Sequence, residues 1–504
     1  MTHTEDSISP STFHLFLENF KLKLKEVYSE LSNTDYITTT RGIPALVLKE
    51  IIPLNPLAVI ISKEYGGISG KIDENLLMTS AAAYESLAFS LTLGINSALF
   101  LQPVTKFAKE EIKKKVFNGF LNEKKMGGLM ITEPDFGSDA LNMRTFFTKS
   151  DTHFQLKGTK HWAGLTGFAN YWLLTAREQT ENGQLKRDLD FFICDTDASD
   201  QQIVVEEYFD NLGLHHIPYG RNRIDVKIPT QQRLDPKTTG INVLLDTLHR
   251  SRLQFPAMGL GFIQRMMDEA ILHCKQRSIG GKSLFTYDQV QYRLARLQSY
   301  FTICSAMCAY SSKNAGLEKD LSTCGIEANS FKTIATDMMQ DAAQSLVQLV
   351  GAKAYRYSHI GGRGIIDSRP FQIFEGSNDI LYAQISEGII KLMKQKNETN
   401  PFLFLSEYIH SKQAALVVKE QLDFNINLQL NQRKQIEFGK IISRIISIEM
   451  VINIGNSNFR KDLVSNSIAM LQTEISGLIG NFKQIEFTNV IEDYKENSSW
   501  YKNF

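Results

Sequence analysis

The chain has 504 residues, 43% of them hydrophobic, so it is long enough to bury several cores in about three or four domains. Lysine plus arginine and aspartate plus glutamate each number 55, and the net charge of zero gives no broad attraction to nucleic acid or to an anionic membrane. These values predict a large globular protein that does not act on nucleic acid.

The five cysteines form no C-x-x-C pair, a distribution typical of free thiols in a reducing compartment. Cys304 and Cys308 are four residues apart in a helical pattern, which favours small buried hydrophobic side chains over a metal pair. Met1 to Pro10 is polar and acidic, and we count no run of about eighteen apolar residues. We expect a cytoplasmic protein with no membrane span and no metal site.

Apolar residues recur at helical spacing from Ser11 to about Asn122, as at Phe13, Leu17 and Phe20, and predict an N-terminal helical domain over residues 1–125. Short strands separated by Gly, Asn, Asp and Pro follow and predict a middle β-domain over residues 126–240. The predicted strands include Phe154–Leu156, Tyr171–Thr175, Phe191–Cys194 and Ile224–Val226.

Helical periodicity then returns and predicts a four-helix bundle over residues 241–395, with glycine-rich connections at 280–281 and 361–364. Its helices are predicted at Leu244–Gln276, Tyr287–Ala315, Gly325–Val350 and Ser377–Met393. Residues 396–504 carry two further helical patterns, Ile436–Ile452 and Asp462–Phe482, and form an additional helical region. The fold class is therefore α+β.

A polar turn, T-E-P-D-F-G-S-D from Thr132 to Asp139, is followed after one strand by K-G-T-K-H-W ending at Trp162. Such a turn presents a hydroxyl, small residues and an aromatic plate, and it can hold a flat cofactor on which Trp162 stacks. An ordinary turn beside a core tryptophan is the alternative.

A second segment, F-Q-I-F-E-G-S-N-D, places Glu375 between an apolar run and a Gly-Ser turn that opens a helix. Flanking by Ile373 and Phe374 predicts a desolvated carboxylate with a raised pKa, as a general base near neutral pH requires. The alternative is a helix-entry acid that interacts with the helix macrodipole.

Together these segments resemble the acyl-CoA dehydrogenase family. The family signature T-E-P-x-A-G-S-D is matched except at Phe136, and F-E-G-T-N-D-I, the form in very-long-chain members, is matched except for Ser377. The resemblance spans about residues 15–395 and implies the acyl-CoA dehydrogenase fold: an N-terminal helical domain, a middle β-domain, a C-terminal four-helix bundle and, here, an extra C-terminal helical region.

The resemblance implies that the protein is an FAD enzyme. Thr132 would hydrogen-bond the flavin ring, Ser138 would lie where flavin and acyl chain meet, and Trp162 would stack on the isoalloxazine. Ser377 and Asp379 would also contact the cofactor.

Relatives usually place a hydroxyl residue near the reactive flavin nitrogen, two positions after the tryptophan, whereas this chain has Ala163-Gly164. The resemblance therefore implies that this hydrogen bond comes from the backbone or from a displaced residue such as Thr166.

The cofactor's diphosphate and adenine cross a subunit boundary in the family, which implies a homo-oligomer, either a dimer or a dimer of dimers. Arg277, Gln348 and Gly351 match the residues that meet them. A surface arginine and a helix-ending glycine are the local alternative.

Glu375 falls on the family's base position, and Arg252 matches the arginine beside that base. Ser138, Arg252 and Gly376 would contact the substrate. Some relatives carry the base immediately before the arginine, but that place here is Ser251, which cannot act so. The implied reaction takes an α-proton to Glu375 and a β-hydride to flavin N5, giving a trans-2-enoyl thioester.

The carrier stays open between acyl-CoA and an acyl carrier protein, because the family's aspartate that holds the pantetheine arm is His249 here. Arg221 and Arg223 read either as a basic carrier contact or as a solvated strand end. By resemblance the electron acceptor is an electron-transferring flavoprotein or oxygen. Glu375 argues against an oxidase or monooxygenase branch, and with the zero net charge against a DNA-associated branch.

Overall fold

The computed structural model describes residues 12–32, 41–484 and 489–500, so the N-terminal segment Met1–Pro10 lies outside the described residues. The first domain is helical because apolar side chains repeat on one face of each helix, as at Phe20 and Leu24, which are fully buried. Its helices are α1 Thr12–Ser32, α2 Ala45–Glu50, α3 Ile72–Glu85, α4 Leu87–Asn96, α5 Gln102–Phe107 and α6 Glu110–Asn122.

We expected no segment long and apolar enough to span a membrane, and this expectation is wrong, because one helix meets both criteria. Helices α4 and α5 join through a π-helical stretch, Ser97–Leu101, into one apolar helix over Leu87–Phe107 that is long enough to do so. However, 94% of its most apolar 18-residue stretch is buried inside the protein. This segment is the central core helix of the first domain.

The middle domain is one curled sheet, in which apolar and polar residues alternate along two neighbouring strands, with Leu156 facing Val226 across them. Its strands are β1 Gly127–Met130, β2 Phe146–Lys149, β3 His153–His161, β4 Tyr171–Glu178, β5 Asp190–Asp195, β6 Val204–Tyr208 and β7 Gly220–Pro229. They are ordered β1-β4-β2-β3-β7-β6, and β5 pairs with the other edge of β4.

The third domain is a helical bundle that begins at Gly240. The single helix predicted over Leu244–Gln276 is in fact two, because Pro256 in the first turn of the second helix has no N–H to continue the hydrogen-bond ladder. Its elements are α7 Gly240–Arg252, α8 Phe255–Gln276, the short hairpin β8 Ser278–Ile279 and β9 Lys282–Ser283, α9 Asp288–Asn314, α10 Gly325–Val350, α11 Ile360–Ser368 and α12 Asn378–Lys396.

The connection predicted at 361–364 is also wrong, since these residues lie inside α11. Their glycines serve helix packing: a Cβ atom on Gly364 would lie only 3.1 Å from the Phe262 ring of α8. His359 starts the helix by accepting a 3.0 Å hydrogen bond from the Gly361 N–H at Nδ1. Close packing, not chain flexibility, explains these glycines.

The described chain continues beyond α12 as a helical extension up to Lys483, as predicted, although α16 and α17 run a few residues past the expected ends. Helix α16 packs against α10 and α12. A Cβ atom at Gly439 of α16 would lie 1.9 Å from the Tyr382 carbonyl oxygen of α12, so the two backbones touch there. The helices are α13 Pro401–Glu407, α14 Lys412–Val417, α15 Lys419–Leu422, α16 Gln432–Gly455 and α17 Lys461–Lys483.

Candidate active site

Residues 374–377, the candidate catalytic turn, connect a short 3-10 helix to α12. Glu375 and Gly376 both have left-handed backbone conformations, with φ of 52° and 92°. Phe374 anchors the turn by packing against Phe255 at the start of α8, with ring centroids 6.1 Å apart. The turn is therefore sharp, and an aromatic contact with α8 holds it in place.

The carboxylate of Glu375 is held at one oxygen and free at the other. Its Oε1 accepts a 3.0 Å hydrogen bond from the Ser251 hydroxyl, whereas Oε2 is buried with no hydrogen-bond partner among the described residues. Burial raises the pKa of Glu375 to about 6, against the opposing effects of Arg252, Ser251 and Lys332. A carboxylate with this pKa is ionised at neutral pH and can accept a proton at Oε2.

Arg252 fixes the backbone of the catalytic turn. Its Nε and Nη2 donate to the Glu375 carbonyl oxygen at 3.1 and 2.7 Å, and Nη1 donates to Asn329 Oδ1 at 2.7 Å. Burial lowers the pKa of Arg252 to about 10, so it remains charged at neutral pH. The arginine thus orients the Glu375 peptide group and adds positive charge beside its carboxylate.

Lys332 of α10 is a site residue that sequence reasoning did not identify. Its side chain is fully buried, and Nζ donates to the Gly376 carbonyl oxygen at 2.9 Å and to Asn378 Oδ1 at 2.8 Å. Burial lowers the pKa of Lys332 to about 7. The one sequence signal is its position on the apolar face of α10, one residue after Phe331 and three before Ala335.

A second carboxylate, the half-buried Asp337 of α10, lies behind the turn. Its Oδ1 accepts from Asn378 Nδ2 at 2.7 Å and from Gln372 Nε2 at 2.6 Å, and its Oδ2 accepts from the Tyr382 hydroxyl at 2.7 Å. Gln372 and Asn378 flank the catalytic turn on its two sides. Asp337 therefore ties both ends of the turn to α10.

The β-domain brings Thr132 and Trp162 together, as the motif predicts. The His161 N–H donates to the Thr132 carbonyl oxygen at 2.8 Å, and the next residue, Trp162, has a φ of 54° and a 54% exposed side chain. Its indole packs at an angle against Phe209, with centroids 4.5 Å apart. Ser138 is exposed in the same loop. A half-exposed indole leaves a flat apolar surface for a planar ligand.

The loop that carries Thr132 is fixed by a buried ion pair that the sequence did not reveal. Glu133 accepts from the backbone N–H groups of Arg144 and Thr145 at 2.6 and 2.9 Å, and from Lys160 Nζ at 3.0 Å. Burial lowers the pKa of Lys160 to about 8, partly offset by Glu133. The acid and the lysine of the two sequence motifs therefore pair with each other.

Thr166 does not supply a hydroxyl to a cofactor. It is fully buried, donates to the Ala163 carbonyl oxygen at 2.7 Å and accepts from Asn222 Nδ2 at 3.0 Å. Its hydroxyl hydrogen is thus already used within the loop. The backbone, or a displaced residue other than Thr166, stays the expected source of that hydrogen bond.

The other predicted cofactor residues lie in two places. Ser377 and Asp379 are at the start of α12, with Ser377 half-buried and Asp379 exposed. Arg277, Gln348 and Gly351 are exposed at the ends of α8 and α10. Because α8 has 22 residues, its far end lies roughly 30 Å from the catalytic turn that packs on its start. Gln348 and Gly351 follow Lys332, which contacts the turn, by at least four helical turns along α10, roughly 24 Å or more. The structure therefore does not bring these three residues to the Glu375 of the same chain.

His249 and the basic strand residues are occupied within the fold. His249 is buried, with Nδ1 2.8 Å from the Leu321 carbonyl oxygen, and burial lowers its pKa. Arg221 and Arg223 pair with Glu206 of β6 at 3.3 and 3.4 Å at the surface. In the described ranges, no three His, Cys, Asp or Glu side chains cluster as a metal would need.

The fold and the site define a three-domain protein with a buried, unpaired carboxylate oxygen at a sharp turn and an aromatic platform on the adjoining β-domain. Family models for the N-terminal, middle and C-terminal domains of acyl-CoA dehydrogenase match residues 25–124, 128–226 and 238–390. The chain belongs to the acyl-CoA dehydrogenase family of FAD-dependent oxidoreductases. The family and fold predicted from the two motifs are confirmed.

Named relatives share this core. An acyl-CoA dehydrogenase of Bacillus subtilis is 24% identical over 70% of this chain and 91% of its own length. A glutaryl-CoA dehydrogenase of Desulfococcus multivorans is 25% identical over 64% and 82%.

Two solved structures show the same fold. Butyryl-CoA dehydrogenase of Megasphaera elsdenii is 21% identical, with a TM-score of 0.68 over 76% of this chain and 100% of its own. An acyl-CoA dehydrogenase of Bacillus anthracis, complexed with FAD, is 18% identical, with a TM-score of 0.74 over 95% and 89%. The second structure therefore shares its fold with 95% of this chain.

Proposed function

We propose that the protein is an FAD-dependent dehydrogenase that converts an acyl-CoA thioester to the trans-2-enoyl thioester, with Glu375 as the base. The observation that carries the proposal is the divided carboxylate of Glu375: Oε1 is held by Ser251, while Oε2 is buried and unpaired. An unpaired buried oxygen with a pKa of about 6 is suited to accept the weakly acidic α-proton of a thioester.

The turn also offers a donor for the thioester carbonyl. The backbone N–H of Glu375 makes no hydrogen bond to another described residue, so it is available to the oxygen on which negative charge develops. Arg252 holds the carbonyl of the same residue, which keeps the peptide group oriented. Base and donor are then positioned by one short segment.

The residues present fit FAD. Trp162 presents a half-exposed indole beside Thr132, and Arg277 offers an exposed cation for a diphosphate. Bound FAD would supply the hydride acceptor. Since Arg277 and Gly351 lie roughly 30 Å from the catalytic turn of their own chain, they would serve the cofactor of a second copy, which supports a homodimer or a dimer of dimers.

A thioester on an acyl carrier protein is the second candidate substrate. CoA and acyl carrier protein present the acyl group on the same pantetheine arm, and at the place of the acid that relatives offer to this arm the chain has His249, buried and bonded to the Leu321 carbonyl. An acid cannot therefore hold the arm at this point. With either substrate, an electron-transferring flavoprotein or oxygen would then reoxidise the reduced flavin.

The proposal is tested by anaerobic titration of the purified flavoprotein with acyl-CoAs of increasing chain length, following loss of the visible flavin band. Glu375→Gln is the control. Bleaching in the wild type but not in the variant is expected, and reoxidation of the bleached enzyme with each acceptor identifies the partner. If acyl-CoAs leave the flavin oxidised but the matching acyl carrier protein thioester bleaches it, the second candidate holds. No bleaching with either substrate would refute dehydrogenation.

A further inference from the structure

Gly376 is the residue with the greatest backbone freedom in the catalytic turn. Glycine has no Cβ atom, so more backbone conformations are open to it than to other residues, and here it has a φ of 92°. On the other side of Glu375, Phe374 is fixed by its contact with Phe255. An unrestrained Gly376 would let the Glu375 side chain swing about that fixed end. The turn therefore needs a restraint at Gly376 itself.

Lys332 of α10 supplies this restraint through direct contacts. Its side chain is fully buried, and Nζ donates to the Gly376 carbonyl oxygen at 2.9 Å. The same Nζ donates to Oδ1 of Asn378, the first residue of α12, at 2.8 Å. Asn378 Nδ2 in turn donates to Thr336 Oγ1 at 3.0 Å and to Asp337 Oδ1 at 2.7 Å. One side-chain nitrogen thus joins Gly376, the start of α12 and the buried face of α10.

The restraint does not depend on the charge of Lys332. Burial lowers the pKa of Lys332 to about 7. A neutral amine still has two of the three N–H groups of the ammonium form, which is one for each of its two acceptors. Loss of the side chain, in contrast, would remove this donor from both oxygens at every pH.

The planarity of the peptide group carries the restraint to Glu375. Because a peptide group is planar, a hydrogen bond to its carbonyl oxygen restrains the orientation of the whole group. Arg252 holds the peptide group that follows Glu375. Lys332 holds the next one, which follows Gly376. With both groups held, the Glu375 carboxylate keeps one oxygen 3.0 Å from the Ser251 hydroxyl and the other without a partner among the described residues.

We propose that Lys332 is a positioning residue, which restrains Gly376 and so keeps the Glu375 carboxylate against Ser251. Without Lys332 the turn relaxes at Gly376, and the carboxylate leaves the hydroxyl. The catalytic consequence rests on the proposed function, in which Glu375 accepts the proton, whereas the position of the carboxylate does not. A lysine that only stabilised the fold would leave this position unchanged.

The position of the carboxylate is tested by crystal structures of the flavin-loaded, full-length wild type and Lys332→Met variant. Methionine fills most of the space of the lysine but donates no hydrogen bond. We expect the Gly376 carbonyl to turn away from α10 and Glu375 Oε1 to move beyond hydrogen-bond distance of the Ser251 hydroxyl. A carboxylate still bonded to Ser251 in the variant would overturn the proposal.

The catalytic consequence is tested by stopped-flow flavin reduction with whichever thioester reduces the wild type. Lys332→Met should lower the limiting rate by about ten- to a hundredfold with little change in substrate affinity, since a misplaced base impairs chemistry more than binding. In this background, Ser251→Ala should shift the acid limb of the pH profile by less than half the shift that it causes alone. Equal shifts in both backgrounds would refute the link between Lys332 and Ser251.

Lys106→Met is the matched control. Lys106 is also a largely buried lysine, and its Nζ donates to the Lys319 carbonyl oxygen and to Asp246 Oδ1, both at 2.6 Å. Both acceptors lie outside the catalytic turn. This variant should melt at a lower temperature but keep the wild-type limiting rate. An equal loss of rate in the two variants would assign the effect to general destabilisation and overturn the proposal.

A second variant and a second readout keep the outcomes separate. If Lys332→Met yields no folded protein, Lys332→Gln takes its place, because its amide is a donor that ends one atom short of Nζ. The contact between Glu375 and Ser251 should then lengthen, and an unchanged contact would count against the proposal. A wild type that no thioester reduces would refute the proposed function but would leave the crystal structures as the test of positioning.

Discussion

Removing the Ser251 hydroxyl should make the proposed base too basic for its task at neutral pH. The hydroxyl stabilises the ionised form of Glu375 through a 3.0 Å hydrogen bond to Oε1. A hydrogen bond to a charged group contributes about 1.5–3 kcal/mol, and about 1.4 kcal/mol corresponds to one pH unit. Because the pKa of Glu375 is already raised to about 6 by burial, Ser251→Ala should move the midpoint upward by about one to two pH units.

The assay is the rate of anaerobic flavin reduction, measured by stopped flow from pH 5 to pH 9. Activity needs the ionised base, so the acid limb of the profile should shift upward and the rate at pH 7 should fall by about two- to tenfold. Thr247→Val is the matched control: it lies one turn earlier on α7, and its buried hydroxyl has no hydrogen-bond partner in the described part of the chain. An unshifted profile in Ser251→Ala would refute the role of this hydrogen bond.

Four further outcomes are expected at Glu375, Lys332 and Arg277. Glu375→Gln should slow flavin reduction by about 10²–10⁴-fold. Folding raises the pKa of Glu375 from 4.5 to about 6, so its ionised form destabilises the fold. Glu375→Gln should therefore raise the free energy of unfolding by about 2 kcal/mol above pH 6 and leave it unchanged below about pH 4.5. Thermal melts of both proteins at pH 8 and at pH 4 would show this difference. Because burial lowers the pKa of Lys332 from 10.5 to about 7, its charged form also destabilises the fold. Lys332→Met leaves two oxygen acceptors without their donor at every pH, but its melting temperature relative to the wild type should rise as the pH falls from 10 to 7; a difference that does not change with pH would contradict this. Arg277→Ala should weaken FAD retention on dialysis, measured by visible absorbance, whereas Lys282→Ala should retain it; equal loss in both would contradict the diphosphate role.

The sequence predicts the raised pKa of Glu375 and the sharp turn around it, because this information is local. An acid between Phe374 and Gly376 indicates both desolvation and a sharp turn, and the structure shows a buried carboxylate with a raised pKa. The roles of Ser251 and Lys332 could not be predicted in this way. They reach Glu375 and Gly376 from positions 124 and 44 residues away along the chain, so only the packed bundle reveals them.

The errors in the helix predictions have a similar origin. Pro256 sits in an apolar helical pattern, and the pattern alone does not show that the ladder restarts there. The glycines of 361–364 suggest a loop by composition, but Gly364 is needed for contact with Phe262 of another helix. Composition describes each residue by itself, whereas the role of these glycines depends on the helix that packs against them.

The left-handed backbone conformation of Glu375 means that selection for stability and selection for activity would favour different residues at this position. At a φ of 52°, glycine or asparagine would cost no more conformational energy than glutamate, and either would also remove the buried charge. A library screened for heat resistance alone should therefore collect inactive variants at this position. Selection of a more robust form of this protein needs a flavin-reduction step in every round.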